Sequence, residues 1–397
     1  MENRAVIHTF TEFGLDEYQQ RVVKARDLMA QSGFSALLIT GEANFRYFTG
    51  LNIQSWISPT RPMFFLLPIS HDPIAVIPSG VEVSMRRTSW VKDIRTWVAP
   101  NPADDGVSLL SEAIRETCRS GKIGAEFGPE TQLRMPILDF YRLQQMVTPI
   151  GFSDGGWICR KLRMVKSPGE IERVSRIADI VSAGFEGLPS TMSIGMTERD
   201  ACLALQLDVL CRGADKFPYM VAASGPGGYE TINTNPSDRP LLSGDVLLID
   251  TGCTLDGYYC DFDRNYAFGT LDEGARRANE LVWQATEAGI AAARPGVRLC
   301  DVWQAMAKTL GSDAVAGANV GRMGHGVGLQ LTEPPSVHPK DETEIEVGMI
   351  LTVEPGIRYA DASGRRRVMV HEENLVVTET GARLLTRRAP QVIPVIS

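Results

Sequence analysis

A predicted hairpin between residues 246 and 263 is the feature that most constrains how this chain can fold. An apolar run rich in β-branched side chains occupies residues 246–249. Asp256-Gly257 follows, and this dipeptide is favoured in two-residue hairpin turns. A second strand-like run begins at Tyr258. The spacing therefore predicts two antiparallel strands joined by a tight turn.

The register fixed by this turn brings two aspartates together. Stepping back along the ladder places Asp250 opposite Asp263, with Asp261 diagonal to Asp250 on the same face. Diagonal neighbours lie roughly 7–8 Å apart, within joint reach of two metal ions about 3.5–4 Å apart. Asp250 also ends an apolar run, whereas solvated carboxylates usually occupy the surface. We therefore interpret the hairpin as half of a metal site rather than as an acidic surface turn.

Three further candidate ligands follow along the chain. His325 is flanked by glycines, which leave its ring unobstructed. Glu354 ends an apolar run and precedes Pro-Gly. Glu372 lies within a predicted strand over residues 368–377, where a buried charge needs a cation to neutralise it. Four carboxylates and one imidazole suit one or two divalent ions, and such ions activate water. The pattern predicts a metalloenzyme.

The motifs around these residues resemble those of the pita-bread metallohydrolases, which include proline dipeptidase, Xaa-Pro aminopeptidase, methionine aminopeptidase and creatinase. The segments that carry the resemblance are Ile249-Asp250-Thr251-Gly252, Gly257-Tyr258-Tyr259-Cys260-Asp261, Gly324-His325-Gly326-Val327-Gly328-Leu329, Glu354-Pro355-Gly356 and Glu372-Glu373-Asn374. Residues 44–50 resemble the N-terminal-domain signature of the proline-peptidase and creatinase branch, and residues 162–171 resemble its interdomain junction. The resemblance covers nearly the whole chain.

The expected fold is α+β, with a pita-bread catalytic domain preceded by a smaller α/β domain. At 397 residues the chain is long for a single core. Alternating helical and strand-like patterns fill its first part, which we assign to a creatinase/prolidase-like domain over residues 1–156. Residues 167–170 form a capping box with proline at the first helical position, and a long amphipathic helix follows. The metal-binding domain is expected over residues 157–397.

The resemblance also implies how the five ligands share the metal. Asp250 and Asp261 hold one ion, and Asp261 and Glu372 bridge to a second. His325 and Glu354 complete the second site, and Glu354 takes a proton from the attacking water. Manganese, cobalt, zinc and iron all accept such ligands, so the cofactor is predicted as one or two divalent ions of this group.

Three positions depart from the peptidase pattern. Asn233 stands where peptidases place a histidine before the first metal aspartate, and Thr332 stands where they carry a second histidine. Val370 occupies a position where prolidases commonly carry arginine. At the catalytic positions, Asn233 offers a hydrogen-bond donor and Thr332 a hydroxyl, and neither shuttles protons near neutral pH. We therefore expect inefficient Xaa-Pro cleavage. His338, in a polar loop, is a candidate to replace one missing histidine.

Substrate binding is expected to involve the first domain. Arg61 leads into a strand-like run, and creatinase-like relatives use an arginine of this region to meet the substrate carboxylate across a dimer interface. Trp56 could wall the same pocket. The alternative is an ordinary surface arginine. The resemblance thus implies a homodimer and a carboxylate-bearing substrate.

Composition narrows the class of partner. The chain carries 40 basic and 48 acidic residues, a net charge of −8, and has neither a basic patch nor a stacking motif for nucleic acid. No apolar stretch is long enough to span a bilayer, and the N-terminus lacks a signal-peptide pattern. The seven cysteines are odd in number and include no Cys-x-x-Cys, which is typical of reduced thiols in the cytoplasm.

The sequence therefore predicts a metal-dependent hydrolase that cleaves a C–N bond, amide or peptide-like, in a small polar substrate. One alternative is a lyase of the sulfonium-lyase type, in which a metal-polarised carboxylate substrate loses a β-leaving group. Its product gains no water, so product mass separates the two. A second alternative is a pseudopeptidase that binds macromolecules. Such proteins usually lose metal ligands, and this chain retains all five.

Overall fold

The computed structural model describes residues 13–58, 60–311 and 321–397, and the chain divides into two compact units. The first runs to Arg163 and the second begins at Met164. The boundary expected after residue 156 falls at the start of a helix over Gly156–Met164, and the units divide at the other end of that helix.

The first unit is a mixed sheet with helices. Its strands are β1 (Phe34–Ile39), β2 (Phe64–Pro68), β3 (Ile74–Pro78), β4 (Asp93–Trp97), β5 (Lys122–Ala125) and β6 (Gly151–Asp154). Its helices are α1 (Leu15–Ser32), α2 (Glu42–Thr49), α3 (Glu82–Thr88), α4 (Val107–Thr117), α5 (Ile137–Met146) and α6 (Gly156–Met164). The sheet order is β4-β3-β2-β1-β5-β6, antiparallel from β3 to β1 and parallel at both edges.

Apolar side chains of this sheet and of α4 and α5 form the core of the first unit. Leu38, Phe64 and Val76 from the strands pack with Ile114 and Leu143 from the helices, and all five are almost fully buried. Burial of such side chains stabilises a fold by about 1.5–3 kcal/mol each. The first unit is thus an α/β domain, as its alternating pattern predicts.

The second unit contains four helices and twelve strands in the described residues. The helices are α7 (Pro168–Gly187), α8 (Glu198–Cys211), α9 (Glu273–Ala292) and α10 (Leu299–Leu310). The strands are β7 (Lys216–Pro226), β8 (Asp245–Leu255), β9 (Tyr258–Tyr259), β10 (Phe262–Phe268), β11 (His325–Gly326), β12 (Glu333–Ser336), β13 (Ile350–Val353), β14 (Gly356–Ala360), β15 (Arg366–Val370), β16 (Glu373–Thr378), β17 (Gly381–Leu384) and β18 (Val395–Ile396).

Two five-stranded sheets and one hairpin organise these strands. The first sheet has the order β18-β10-β8-β7, with β9 paired to β8. The second has the order β12-β11-β13-β16-β17, and β14 pairs only with β15. Leu248 of β8, Val282 of α9, Met306 of α10 and Leu351 of β13 meet in one buried cluster, which ties the sheets to the helices. This core supports the sheet positions that carry the candidate ligands.

Helix α7 begins with the predicted capping box. The Ser167 hydroxyl accepts from the Glu170 N–H at 3.2 Å, and the Glu170 carboxylate accepts from the Ser167 N–H at 3.0 Å. Such a cap contributes about 1 kcal/mol to a helix. The helix is amphipathic as expected: Val174, Ile177, Val181 and Phe185 are buried on one face, whereas Ile171 in the first turn is only half-buried.

The predicted hairpin register is confirmed. Leu255 pairs with Tyr258, and Asp250 pairs with Asp263. Both turn residues have positive φ, 48° at Asp256 and 71° at Gly257. Positive φ at both central residues matches the right-handed twist of the strands, which explains the Asp-Gly sequence at this turn.

The single strand predicted over residues 368–377 is wrong at its centre. Strand β15 ends at Val370 and β16 begins at Glu373, because the two strands have different partners. Strand β15 pairs with β14, whereas β16 pairs with β13. Glu372 therefore lies in a break between two strands rather than within a ladder.

No helix within the described residues is long and apolar enough to cross a membrane.

Candidate metal centre

Three of the predicted ligands converge in the second unit. Asp261 lies just before β10, His325 opens β11, and Glu372 lies in the break between β15 and β16. One ligand atom from each lies within 4.8 Å of the other two, and all three side chains are buried. The Nε2 atom of His325 is 3.5 Å from an Asp261 carboxylate oxygen. This spacing suits a shared cation.

The other two predicted ligands, Asp250 and Glu354, lie close enough for their charges to raise the pKa of Asp261 and Glu372. Desolvation raises the pKa of Asp250 to about 6. Desolvation, together with the nearby Asp250 charge, raises the pKa of Glu354 to about 7. Asp250 and Glu354 are half-buried residues, whereas Asp261, His325 and Glu372 are buried.

Burial makes the charged forms of Asp261 and Glu372 unfavourable. Burial raises the pKa of Asp261 well above its ordinary value, and the charges of Asp250 and Glu354 raise it further. The pKa of Glu372 is raised in the same direction by burial and then by its acidic neighbours. Several carboxylates cannot share one buried space as anions without a compensating charge. The arrangement calls for a cation.

Hydrogen bonding supports the same conclusion. One carboxylate oxygen each of Asp250, Asp261 and Glu372 is buried without a hydrogen-bond donor among the described residues. Buried polar atoms in folded proteins are almost always partnered, and a divalent cation is a partner that suits carboxylate oxygens. The chemistry of the donor set, four carboxylates and one imidazole, fits such an ion.

The imidazole is held ready for ligation through Nε2. The Nδ1 atom of His325 lies 2.8 Å from the Gly326 carbonyl, so Nδ1 carries the proton and donates it there. The backbone N–H of His325 donates to the Thr352 hydroxyl at 3.1 Å. Burial lowers the pKa of His325 to about 4, which keeps the ring neutral. A neutral ring with a free Nε2 lone pair is the form that binds metals.

Several supporting residues could not be identified from the sequence pattern alone. The Asn374 side chain accepts from the Asp261 N–H and donates to the Asp261 carbonyl. The Tyr219 hydroxyl donates to Asp250 at 3.1 Å. Asn374 belongs to the motif that contains Glu372, but only the folded chain brings it to Asp261. Residues that orient ligands in this way typically change metal affinity about 10–100-fold when replaced.

Asp263 has a similar supporting role. Its carboxylate accepts from the Glu372 N–H at 3.1 Å, and its side chain is almost completely buried. The hairpin register places it opposite Asp250, which was the only sequence signal for it. Asp263 therefore fixes the backbone at the break that carries Glu372.

A cavity of about 250 Å³ adjoins the cluster through Glu354. Thr231, Ile232, Arg322 and Val370 also line it. Val370 is buried on β15, so an apolar side chain occupies the position where an arginine was expected by resemblance. This cavity has room for a small ligand next to the metal ligands.

The predicted catalytic and loop residues lie around this cavity to different extents. Asn233 is exposed, and its backbone N–H donates to the Thr231 hydroxyl, which belongs to a cavity-lining residue. The Thr332 hydroxyl accepts from Arg322 at 3.4 Å. His338 lines a separate, neighbouring cavity, and its Nδ1 accepts from the Lys340 N–H at 3.2 Å.

The two predicted substrate-binding residues of the first unit differ in their exposure to solvent. Arg61 is exposed, with φ at 60°. Trp56 is only 5% exposed, and its ring packs edge-on against Phe45 and under the Arg134 guanidinium. The Trp56 ring is thus part of the packing of the first unit.

The site and the fold around it define a class. A mixed α+β unit that gathers a carboxylate-rich metal cluster from several strands beside a small cavity is a pita-bread metallohydrolase. The chain belongs to metallopeptidase family M24, whose model matches residues 172–379. The creatinase/prolidase N-terminal domain matches residues 21–165. The family and fold implied by the motifs are therefore confirmed.

Individual relatives agree with this assignment. The chain is 27% identical over 383 residues to a probable dipeptidase PepE of Mycobacterium tuberculosis, covering 93% of this chain and 94% of that protein. It is 27% identical over 242 residues to the Xaa-Pro dipeptidase of Pyrococcus furiosus, covering 59% of this chain and 67% of that one. The crystal structure of dipeptidase PepE from Mycobacterium ulcerans superposes with a TM-score of 0.83 at 26% identity, covering 97% and 99% of the two chains.

Proposed function

We propose that this M24 metallohydrolase cleaves the amide bond of a small, dipeptide-like substrate with the help of one or two divalent ions. The observation that carries the proposal is the set of buried carboxylate oxygens without a donor, on Asp250, Asp261 and Glu372, next to a cavity lined by Glu354. The similarity to dipeptidases supports a peptide-like substrate. We further propose that the enzyme is a cytoplasmic homodimer.

The five ligands would divide the work of holding the ions. Asp250 and Asp261 would hold one ion, and His325 and Glu354 the other, with Asp261 and Glu372 shared between them. A bound divalent ion polarises the scissile carbonyl and lowers the pKa of water. Manganese, cobalt, zinc and iron are the candidates.

Residues of this chain would carry out the proton transfer. Glu354 is the candidate general base, since it combines a pKa raised to about 7 with a place on the cavity wall. A base with a pKa near the working pH transfers protons most effectively. Asn233 and Thr332 would position the substrate by hydrogen bonds, and His338 would assist from the neighbouring cavity.

Replacement of Asp261 tests the metal site. Purified wild type is expected to bind one or two equivalents of Mn²⁺, Co²⁺, Zn²⁺ or Fe²⁺, and Asp261→Ala to lose this binding, because the shared ligand serves both ions. Asp238→Ala is the matched control, since that carboxylate is 81% exposed. Metal content is measured by elemental analysis after dialysis. Equal metal content in wild type and Asp261→Ala would contradict the proposed site.

Product analysis tests the reaction. The metal-loaded enzyme is screened against dipeptides and simple amides, and the products are weighed by mass spectrometry. Hydrolysis adds one water to the sum of the product masses, whereas a lyase reaction adds none. We expect weak activity on Gly-Pro and Ala-Pro, with turnover about 10²–10⁴-fold below that of a prolidase, because Asn233, Thr332 and Val370 offer no proton-shuttling or cationic group. Prolidase-like rates on these two substrates would contradict that expectation.

Mixing two impaired variants tests whether Arg61 of one subunit completes the pocket of its neighbour. If Arg61 of one subunit meets the substrate carboxylate in its neighbour, Arg61→Ala raises KM and leaves metal content unchanged. Mixed Arg61→Ala and Asp261→Ala subunits should then recover activity, since each heterodimer has one complete pocket. A monomeric enzyme, or a mixture no more active than its parts, would rule out this arrangement.

A further inference from the structure

The cavity beside Glu354 carries two arginines that nothing in the reaction described above uses. Arg322 and Arg358 both line it, and both side chains are exposed. Arg358 lies on β14, opposite Val368 of β15. Arg322 lies just before β11 in the chain. The two guanidinium groups thus reach the same cavity from different elements.

Neither arginine is neutralised by a carboxylate in the part of the chain that the structure describes. No Asp or Glu oxygen there lies within the 4.0 Å of an ion pair with Arg322 or Arg358. The one other acidic residue of the cavity wall, Glu230, is paired with Arg367 at 2.8 Å. Glu354 is committed to the metal cluster. If two divalent ions balance the four carboxylates of the cluster, the two arginines give the cavity an excess of positive charge.

Arg322 and Arg358 line different parts of the cavity. Arg322 also lines a neighbouring surface cavity of about 460 Å³, together with His338 and Lys340, and Arg358 does not. The wall near Arg358 is apolar, formed by Ile357, Val368 and Val370. The cavity thus combines two cationic side chains with an apolar wall, which suits a ligand with two anionic groups joined by a short aliphatic segment.

Arg322 lines the same cavity as Glu354, the predicted ligand through which the cavity adjoins the cluster. A group bound at Arg322 would therefore lie beside the reacting centre rather than at a remote surface. Arginine is suited to this task, because its planar fork binds carboxylates with two parallel hydrogen bonds.

We propose that Arg322 and Arg358 form a double clamp that selects dianionic substrates, namely dipeptides whose C-terminal residue is aspartate or glutamate. This inference rests on the proposed amide hydrolysis for its substrate class, although binding by the clamp does not depend on turnover. One guanidinium would bind the α-carboxylate and the other the side-chain carboxylate. The clamp is thus an alternative to the contact between Arg61 and the substrate carboxylate, and the Arg61→Ala complementation experiment distinguishes the two. A cavity of about 250 Å³ suits a molecule of this size better than a long peptide.

Isosteric dipeptide pairs test the clamp on the Mn²⁺-loaded enzyme. Ala-Glu and Ala-Gln differ by one charge at nearly constant volume, as do Gly-Asp and Gly-Asn. The wild type is expected to prefer the acidic member on the order of 10- to 100-fold in kcat/KM, and to lose part of this preference as salt is raised. Arg358→Gln and Arg322→Gln should each reduce the ratio toward one, mainly through KM, with unchanged metal content.

The control variant is Arg366→Gln. Arg366 is exposed on the same β14–β15 hairpin but does not line the cavity, so its replacement should leave the preference unchanged. A ratio near one in the wild type, or a ratio unaffected by either cavity arginine, would overturn the clamp while leaving amide hydrolysis intact.

A binding measurement separates the clamp from the proposed reaction. Glutarate and butyrate are titrated calorimetrically into the Mn²⁺-loaded wild type and both arginine variants. Tighter binding of glutarate that is lost in Arg358→Gln and Arg322→Gln supports the clamp even if no amide is hydrolysed, in which case the proposed function alone fails. Equal glutarate affinity in all three proteins would overturn the clamp.

Discussion

Replacement of Glu354 by glutamine should stabilise the metal-free protein while weakening metal binding. Glu354 has a pKa of about 7 in the folded protein, against an ordinary value of 4.5. Because one pKa unit corresponds to about 1.4 kcal/mol, the charged form costs the metal-free fold about 3 kcal/mol above pH 7. A carboxylate whose folded pKa is raised stabilises the fold below its unfolded pKa, and this contribution is lost as the pH rises through the folded pKa.

The gain on replacement should therefore depend on pH. Glutamine keeps the shape of the side chain but carries no charge, so the variant should be more stable than wild type by about 3 kcal/mol at pH 8 and by only about 1 kcal/mol at pH 5. Unfolding by urea with excess chelator measures the difference at both pH values. With saturating Mn²⁺ the order should reverse, because the wild type gains more from the bound ion.

A surface replacement provides the control for this measurement. Glu379→Gln removes an exposed carboxylate between β16 and β17 and should change the free energy of unfolding by less than about 0.5 kcal/mol at either pH. If metal-free Glu354→Gln were less stable than wild type at pH 8, or shifted equally at pH 5 and pH 8, repulsion within the cluster would not be the dominant effect.

Three other replacements probe the supports of the cluster. Lys166→Met should cost about 3–5 kcal/mol in urea unfolding, because it leaves Glu333 buried without the ammonium group that lies 2.7 Å away, and adding Glu333→Leu should recover most of the loss. Gly324→Ala should lower both the melting temperature and the metal affinity, because φ is 134° and the added Cβ would collide with a backbone carbonyl beside the metal-binding histidine. Gly364→Ala, which also has positive φ but open space around it, should leave metal affinity unchanged. Tyr219→Phe removes a hydrogen-bond donor to Asp250, so metal affinity measured by a competition titration should fall about 10-fold. The fall should be larger at pH 6 than at pH 8, because protons compete with the metal for Asp250.

Local signals in the sequence predicted local structure well. The Asp256-Gly257 turn fixes the register of its two strands, so the pairing of Asp250 with Asp263 could be worked out residue by residue. The capping box at Ser167 marks the start of α7 for the same reason, since its hydrogen bonds join residues only three positions apart. Contacts between residues that are close in the sequence can therefore be predicted from local sequence patterns.

The sequence did not predict the point at which the chain leaves one strand pairing and enters another. The residues on both sides of Glu372 are β-branched and apolar, which predicts one continuous strand. The ladder breaks there because β15 and β16 join different sheets, and no local pattern reports which sheet a strand joins. Arg367 is a related case. The arginines that precede it, Arg365 and Arg366, are exposed, but Asp361 and Glu230 bind Arg367, and its side chain is only 4% exposed.

The metal centre was predicted by two different routes. The geometry of one hairpin placed Asp250 and Asp261 together. His325, Glu354 and Glu372 were proposed as ligands from the residues around each of them, and the resemblance to known metallohydrolases indicated how all five share the metal. More than a hundred residues separate Asp261 from Asn374, the residue that holds its backbone. Spacing along the chain contains no information about such contacts, so the supporting residues had to come from the fold.

The second glutamate of the Glu372-Glu373 pair links the cluster to a segment that is synthesised later. The Glu373 carboxylate accepts from the Arg388 guanidinium at 3.0 Å and from the Ala389 N–H at 2.9 Å, and β18 then pairs with β10. On a ribosome these residues emerge after all five metal ligands. A nascent chain can thus complete its first unit early, but it cannot brace the strands around the cluster until residues 388–396 are available. Metal loading should accordingly follow translation, when the supply of each ion decides which one the enzyme receives.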